Sequence, residues 1–283
     1  MRESTKEAHT YPRASESLPI ALRKEIADFN ASVKEEAWHV EVLSGTQRGT
    51  CERGVRFLEG KQDLLLAICL NNGYYNRENI YRMLKFALAF SKRVQIFTTD
   101  GPAKHNHRAF YPQKSEKHVE RDTRLDKQHL QNLTRSAVER INADASQGGE
   151  QQVTFLEWDA IYADSVFKEA YAQLKALYRQ NPDFKEDVDS TTRHVLKNRS
   201  DLSGDIDAAL AEGVLYLLEE LAFMRSYSRL DAATKPVSNH GQGGFNYIYY
   251  ESWPVFEKLV NGAYGVPTSE EVGYVVAKVI SEE

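Results

Sequence analysis

The 283-residue chain has only two cysteines, Cys51 and Cys69. Two thiols give no disulfide framework, and neither sits in a zinc-type spacing. No apolar run approaches the ~20 residues that a membrane-spanning helix needs. Met1-Arg2-Glu3 opens no signal-peptide pattern, so the expected location is the cytoplasm, with no membrane partner. The net charge of -5 speaks against a generally basic nucleic-acid binder but leaves room for a local basic surface. Gly241-Gln-Gly-Gly244 is not a phosphate loop, because no Gly-Lys-Ser/Thr follows it. Dinucleotide fingerprints, nucleophile elbows, internal repeats and low-complexity tracts are all missing. His105 and His107 have no Cys or acidic cluster in support and read as surface residues, so no metal is expected.

What is present is a chain with 41% hydrophobic and 11% aromatic residues, including 15 Tyr and 12 Phe. That supports a sizeable core and a pocketed globular fold. Residues 1–36 are polar and read as a peripheral N-terminal extension, in which Leu18–Glu36 forms a surface helix; 37–283 read as one α/β domain. Trp38–Leu43, Asp63–Leu70, Arg93–Thr99, Gln152–Trp158 and Phe245–Tyr250 read as strands, and Val272–Ile280 as strand or helix. Asn76–Ser91 has helical apolar spacing between the second and third strands, a β-α-β order that implies parallel pairing. Further helices are expected from about Ser115 to Ala145, over Ile161–Tyr178, from Pro182 to Lys197, over Asp205–Arg225 and over Val255–Asn261.

Three constellations carry possible chemistry. Cys69 stands where the buried strand runs into the turn Asn71-Asn72-Gly73, ahead of a helix. Ligands bind at such strand ends in α/β folds. A thiol there is either a nucleophile with a lowered pKa or a small buried hydrophobe. Tyr216 and Glu220 are spaced i, i+4 and share a face of an apolar helix. A carboxylate there binds a substrate ammonium, accepts a proton, or pairs with a cation of another helix. Between residues 101 and 141 nine Lys/Arg face five Asp/Glu. Lys114, Lys117, Arg121, Arg124 and Lys127 recur at three- and four-residue steps, as a phosphate-contacting stripe or a solvated mixed-charge face.

Taken together, these motifs resemble the cyclodipeptide synthases, which make diketopiperazines from two aminoacyl-tRNAs. The resemblance spans about residues 37–280 and rests on Cys69-Leu-Asn-Asn72-Gly73-Tyr74-Tyr75, on Tyr216-Leu-Leu-Glu-Glu220, on Asn198-Arg199 and on Tyr249 five residues before Pro254. Two positions depart from the family pattern: Cys69 replaces the family's nucleophilic serine, and Tyr250 fits neither subfamily. The resemblance implies a single Rossmann-like domain, a mostly parallel sheet flanked by helices, similar to the catalytic domain of tyrosyl- and tryptophanyl-tRNA synthetases. It implies a monomer that needs no cofactor, since the aminoacyl ester is already activated.

By the same resemblance Cys69 is acylated, with Tyr216, Glu220 and Tyr249 as catalytic partners. A first pocket is lined by Leu65, Ala67, Phe97, Thr99 and Phe223. Asn72, Asn198 and Tyr250 contact substrate, and the stripe Lys114, Lys117, Arg121, Arg124 and Lys127 holds tRNA phosphates. A tRNA-binding relative with impaired catalysis and a thiol acyltransferase that ignores tRNA are the competing readings.

Overall fold

The computed structural model describes residues 18–43, 51–69, 72–91, 93–144, 153–197, 205–230, 244–266 and 271–281. Among these, six strands form one sheet in the order β1-β6-β5-β2-β3-β4. The strands are β1 (Trp38–Leu43), β2 (Asp63–Ile68), β3 (Val94–Thr98), β4 (Val153–Leu156), β5 (Phe245–Tyr249) and β6 (Val272–Ser281). All pairings are parallel except β1 with β6. The central strands are mostly apolar because helices cover both faces, with Gln95, Thr98 and Asn246 as buried polar exceptions. In β2 every residue from Leu64 to Ile68 is buried.

The helices are α1 (Ile20–Val33), α2 (Glu52–Glu59), α3 (Arg77–Ala89), α4 (Ala103–Phe110), α5 (Glu116–Asp144), α6 (Trp158–Ala163), α7 (Ser165–Gln180), α8 (Pro182–Lys197), α9 (Ile206–Ser226) and α10 (Pro254–Val260). Side-chain caps place several of their starts. Asn76 accepts from Asn79 N to begin α3, Asp164 from Val166 N to begin α7, and Asp205 from Asp207 N to begin α9. Each satisfies an amide that the first helical turn leaves open. The Asp164 cap also divides the helix expected over Ile161–Tyr178 into α6 and α7. The ambiguous C-terminal segment is strand β6, and α2 and α4 are helices the apolar pattern did not announce.

Two expectations change. The segment read as a peripheral extension packs one face of α1 into the core: Leu18, Leu22, Ile26 and Val33 are buried, and Phe29 meets Trp38, Phe86 and Phe90 edge to face. His105 and His107, read as surface residues, are buried on α4. That helix is wedged between α5 and α9, so its polar residues are covered and must find partners.

The strand order reverses between β2 and β5. The connection through α3 carries the chain from β2 to β3 and β4 on one side, whereas β5 and β6 lie on the other. This is the topological switch point at which open α/β sheets bind ligands, outside the strands' carboxyl ends. Cys69 follows β2 and Tyr249 ends β5, so both stand at that crevice.

Candidate active site

Residues alternate across a sheet, so Leu65, Ala67 and Cys69 share one face with Phe97 and Thr99 of the β3 end and Tyr247 and Tyr249 of β5. Helix α9 lies across this face and contributes Tyr216, Glu220 and Phe223. Cys69 Sγ is 3.0 Å from Tyr249 OH and 3.8 Å from Glu220 Oε1. Tyr216 and Thr99 also hydrogen-bond Cys69, and Tyr216 hydrogen-bonds Glu220. The four residues expected to be catalytic therefore meet around one sulfur, from three elements distant in the chain.

The electrostatics follow from burial. The Cys69 thiol is pushed well above its ordinary range by desolvation and then by the neighbouring Glu220 carboxylate; hydrogen bonds from Tyr249, Tyr216 and Thr99 offset only part of this. The lowered pKa expected from a nearby helix start does not occur. Helix α3 begins only at Arg77, while Cys69 is sealed at 6% exposure. Burial likewise raises the Glu220 carboxyl to about 8, against hydrogen bonds from Cys69 and Tyr216. At neutral pH the site on its own thus holds a neutral thiol and a protonated carboxyl, and an arriving cation would draw out the carboxylate.

These residues line a cavity of about 310 Å³. Its walls come from the Asn72-Gly73 turn, Asn106 and Phe110 of α4, Thr192 and Leu196 of α8, Gly213 and Leu217 of α9, and Trp253 and Phe256 around the start of α10. Gly213 lets α8 and α9 approach closely, since a Cβ there would lie 2.5 Å from Thr192 Cγ2. At the mouth, Asn72 is held at both ends. Its Nδ2 donates to Tyr250 OH at 2.6 Å, and its Oδ1 accepts from Tyr74 N at 3.0 Å. Tyr250 stacks on Tyr74, ring centroids 4.2 Å apart, and Tyr74 OH accepts from Val279 N. Tyr250, where the sequence departs from the family pattern, thus braces the turn that follows Cys69.

Leu65, Ala67, Phe97, Thr99 and Phe223 do not line this cavity. All five are fully buried. Phe97 and Phe223 stack face to face, centroids 3.9 Å apart and planes 3° apart, and Trp158 and Tyr247 pack around Phe97. That layer floors the site. Asn198 falls outside the described residues, as do Leu70 and Asn71 of the turn.

The basic stripe runs from Lys114, just ahead of α5, along that helix to Lys127. Lys114 and Arg121 both pair with Asp122, and Lys127 is 3.0 Å from Asp100 and from Glu157, which ties α5 to the carboxyl ends of β3 and β4. Lys117 and Arg124 are exposed. On another side of α9, sequence reasoning missed a buried polar network. Glu219 Oε1 lies 3.2 Å from His105 Nε2 and 3.4 Å from Lys104 Nζ, and Glu219 accepts from Tyr162 OH. His105 Nδ1 is 2.6 Å from Glu212 Oε2. The i, i+7 spacing of Glu212 and Glu219, which puts both on one stripe of α9, was the available signal.

A parallel-centred α/β sheet with its reactive residues at the switch point defines a Rossmann-like fold. The family model described as cyclodipeptide synthase matches residues 46–279, and the chain belongs to that family. Solved structures similar to it include a cyclodipeptide synthase from Bacillus thermoamylovorans (19% identity, TM-score 0.68, covering 88% of this chain and 100% of that one). A cyclo(L-leucyl-L-phenylalanyl) synthase is similar at 18% identity and TM-score 0.64, over 86% of this chain and 98% of that one. A Mycobacterium tuberculosis protein, whose structure relates cyclodipeptide synthetases to type I tRNA synthetases, is similar at 14% identity and TM-score 0.63, over 86% of this chain and 94% of that one. No curated relative matches the chain. Among the described residues no helix is long and apolar enough to cross a membrane.

Proposed function

We propose that the chain joins the aminoacyl groups of two aminoacyl-tRNAs into a cyclodipeptide by ping-pong acyl transfer through Cys69. The observation that carries this reading is the convergence of Cys69, Glu220, Tyr216 and Tyr249 on one cavity. The first substrate's ammonium displaces the proton of Glu220 and pairs with the resulting carboxylate, with Tyr216 alongside. A charge-assisted hydrogen bond of this kind contributes about 1.5–3 kcal/mol. Sγ then bonds to the acyl carbon, the bond to the ribose oxygen breaks, and the thiol proton reaches that oxygen through Tyr249 OH. The amine of the Cys69-bound aminoacyl group, its extra proton passed to Glu220, attacks the ester carbon of the second aminoacyl-tRNA; the bond to that ribose oxygen breaks, the oxygen takes up a proton, and a dipeptidyl thioester remains on Cys69. In the last step the free amine of the dipeptidyl group attacks its thioester carbon, the C–S bond breaks, and Tyr249 returns a proton to sulfur. Lys117 and Arg124 of α5 are available to tRNA phosphates, and Asn198 is assigned to the second substrate.

Incubation with aminoacyl-tRNA should give an aminoacyl adduct on Cys69 by intact mass, absent in Cys69→Ala, and bacterial expression should release diketopiperazines. Tight tRNA binding without an adduct would favour a catalytically impaired relative. Salt-insensitive acyl transfer from a small thioester without tRNA would favour a thiol acyltransferase. Because forming a thioester from an ester is uphill compared with ester exchange, Cys69→Ser should give more product than the chain as it stands.

A further inference from the structure

Three of the five cations of the stripe are already paired with carboxylates, whereas another surface carries cations that are not. Lys168, Lys175 and Arg179 recur along α7 at seven- and four-residue steps, which puts them on one helix face. Among the described residues Lys168 donates only to the Ala163 carbonyl, at 2.9 Å. Lys175 lies over the Tyr171 ring, 5.2 Å from its centroid. Arg179, and Arg193 on α8, have no carboxylate partner among the described residues.

These cations line two hollows of about 470 Å³ each, which share Lys175 and Arg179 and so form one groove. Three acids also line it. Glu219 is engaged with His105, Tyr162 and Lys104, and Asp189 with Tyr178 and Lys185. Asp207, in the first turn of α9, alone offsets the excess. Tyr162 and Tyr171 add half-buried aromatic surface.

The groove reaches toward the catalytic cavity. Arg193 lines the groove, while its chain neighbours Thr192 and His194 line the cavity. The two spaces are therefore separated by about one helix diameter, some 10 Å. We propose that the α7–α8 groove is an RNA-backbone contact surface, which holds phosphates of an aminoacyl-tRNA while its acceptor end enters the cavity. The inference rests on the function proposed above. A track of cations without carboxylate partners among the described residues, interleaved with tyrosines, suits a polyanion whose bases can stack.

The test is the triple variant Lys168→Glu/Lys175→Glu/Arg179→Glu, whose side chains are exposed or half-buried, probed with bulk bacterial tRNA over a salt series. Binding should weaken by tenfold or more, and the slope of log K against log salt should fall by about 2–3, at ~0.7–0.9 for each phosphate that is no longer neutralised. Acylation of Cys69 by a short aminoacyl-RNA hairpin, confined to the acceptor end, should match the unmodified protein. A triple variant with unchanged Tm that binds tRNA with the original slope would overturn the proposal. So would equal loss of hairpin acylation, which would place the effect in the catalytic site. If instead the unmodified protein neither binds tRNA nor is acylated, the proposed function itself falls.

Discussion

Glu219 and Glu220 are consecutive in one helix and equally shielded, at 5% exposure each, yet their surroundings drive them in opposite directions. Burial pushes both carboxyls up. For Glu219, His105, Tyr162 and Lys104 more than reverse the effect and hold it below its ordinary value. For Glu220 the partners are a thiol and a phenol, no cation among the described residues compensates, and the carboxyl rises to about 8. The difference separates structure from function on two sides of α9. A charge whose partners are supplied by the fold is a fastener. A buried acid facing a cavity, with no cation of its own, is shaped for a cation that arrives from outside.

Substitutions at the two positions should therefore give crossed results. Glu219→Ala leaves Lys104 without its carboxylate and His105 with Glu212 alone, and removing one member of a buried ion-paired network costs about 3–5 kcal/mol. Chemical denaturation should show that loss, while activity per folded molecule stays near the original. Glu220→Gln should leave the fold intact and lower product formation by about a hundredfold, the scale of one charge-assisted hydrogen bond. A Glu219→Ala variant of undiminished stability, or an unstable Glu220→Gln, would erase the distinction.

The same contrast has a pH signature. Glu220 is raised in the folded protein, so the folded state holds a proton that the unfolded state has released. Stability from this group is then full below the unfolded value of 4.5 and is lost as pH rises toward 8. Comparing the unmodified protein with Glu220→Gln, the variant should gain relative stability between pH 5 and 8, by about 3–5 kcal/mol across that window. Substrate binding should also release a proton below pH 8, seen as a buffer-dependent heat in calorimetry. Glu219 is lowered instead, so its contribution stands above its unfolded value and fades only on acidification. Replacing its partner by His105→Gln should cost less than Glu219→Ala, about 1–3 kcal/mol, because Lys104 and Tyr162 remain.

How much of this is legible in the residues alone depends on whether a neighbour in the chain or a neighbour in space decides it. The apolar runs and their boundaries locate β2, β3 and β5 within a residue or two, because buried parallel strands are largely continuous hydrophobic stretches, and the alternation of Trp38–Leu43 locates the antiparallel edge strand β1. The i, i+4 relation of Tyr216 and Glu220 and the strand-end position of Cys69 survive in three dimensions. Helix α4 is hidden in a polar tract, since its histidines bury only because α5 and α9 cover them. Phe97 and Phe223, expected to border an open pocket, close on each other instead. That depends on the facing of β3 and α9, which no local pattern encodes. The direction of the Cys69 shift escapes for the same reason. Proximity to a helix start is visible in the sequence, and enclosure is not.

The smallest expected effect concerns the mouth of the cavity, where Tyr250 does two separable jobs. Its ring stacks on Tyr74 and its hydroxyl accepts from Asn72. Tyr250→Phe keeps the stack and removes one partly buried hydrogen bond, at a cost of about 0.5–1.5 kcal/mol. Asn72 still accepts from Tyr74 N, so the turn after Cys69 should stay in place but hold its amide less firmly. The expected outcome is an almost unchanged Tm and a severalfold slower acylation of Cys69 at saturating substrate, whereas Tyr250→Ala should lose both the stack and the brace and fall further in both. If Tyr250→Phe were as slow as Glu220→Gln, the hydroxyl would belong with the groups that touch the reacting atoms. The division between residues that act on substrate and residues that hold them would then have to be redrawn at the cavity mouth.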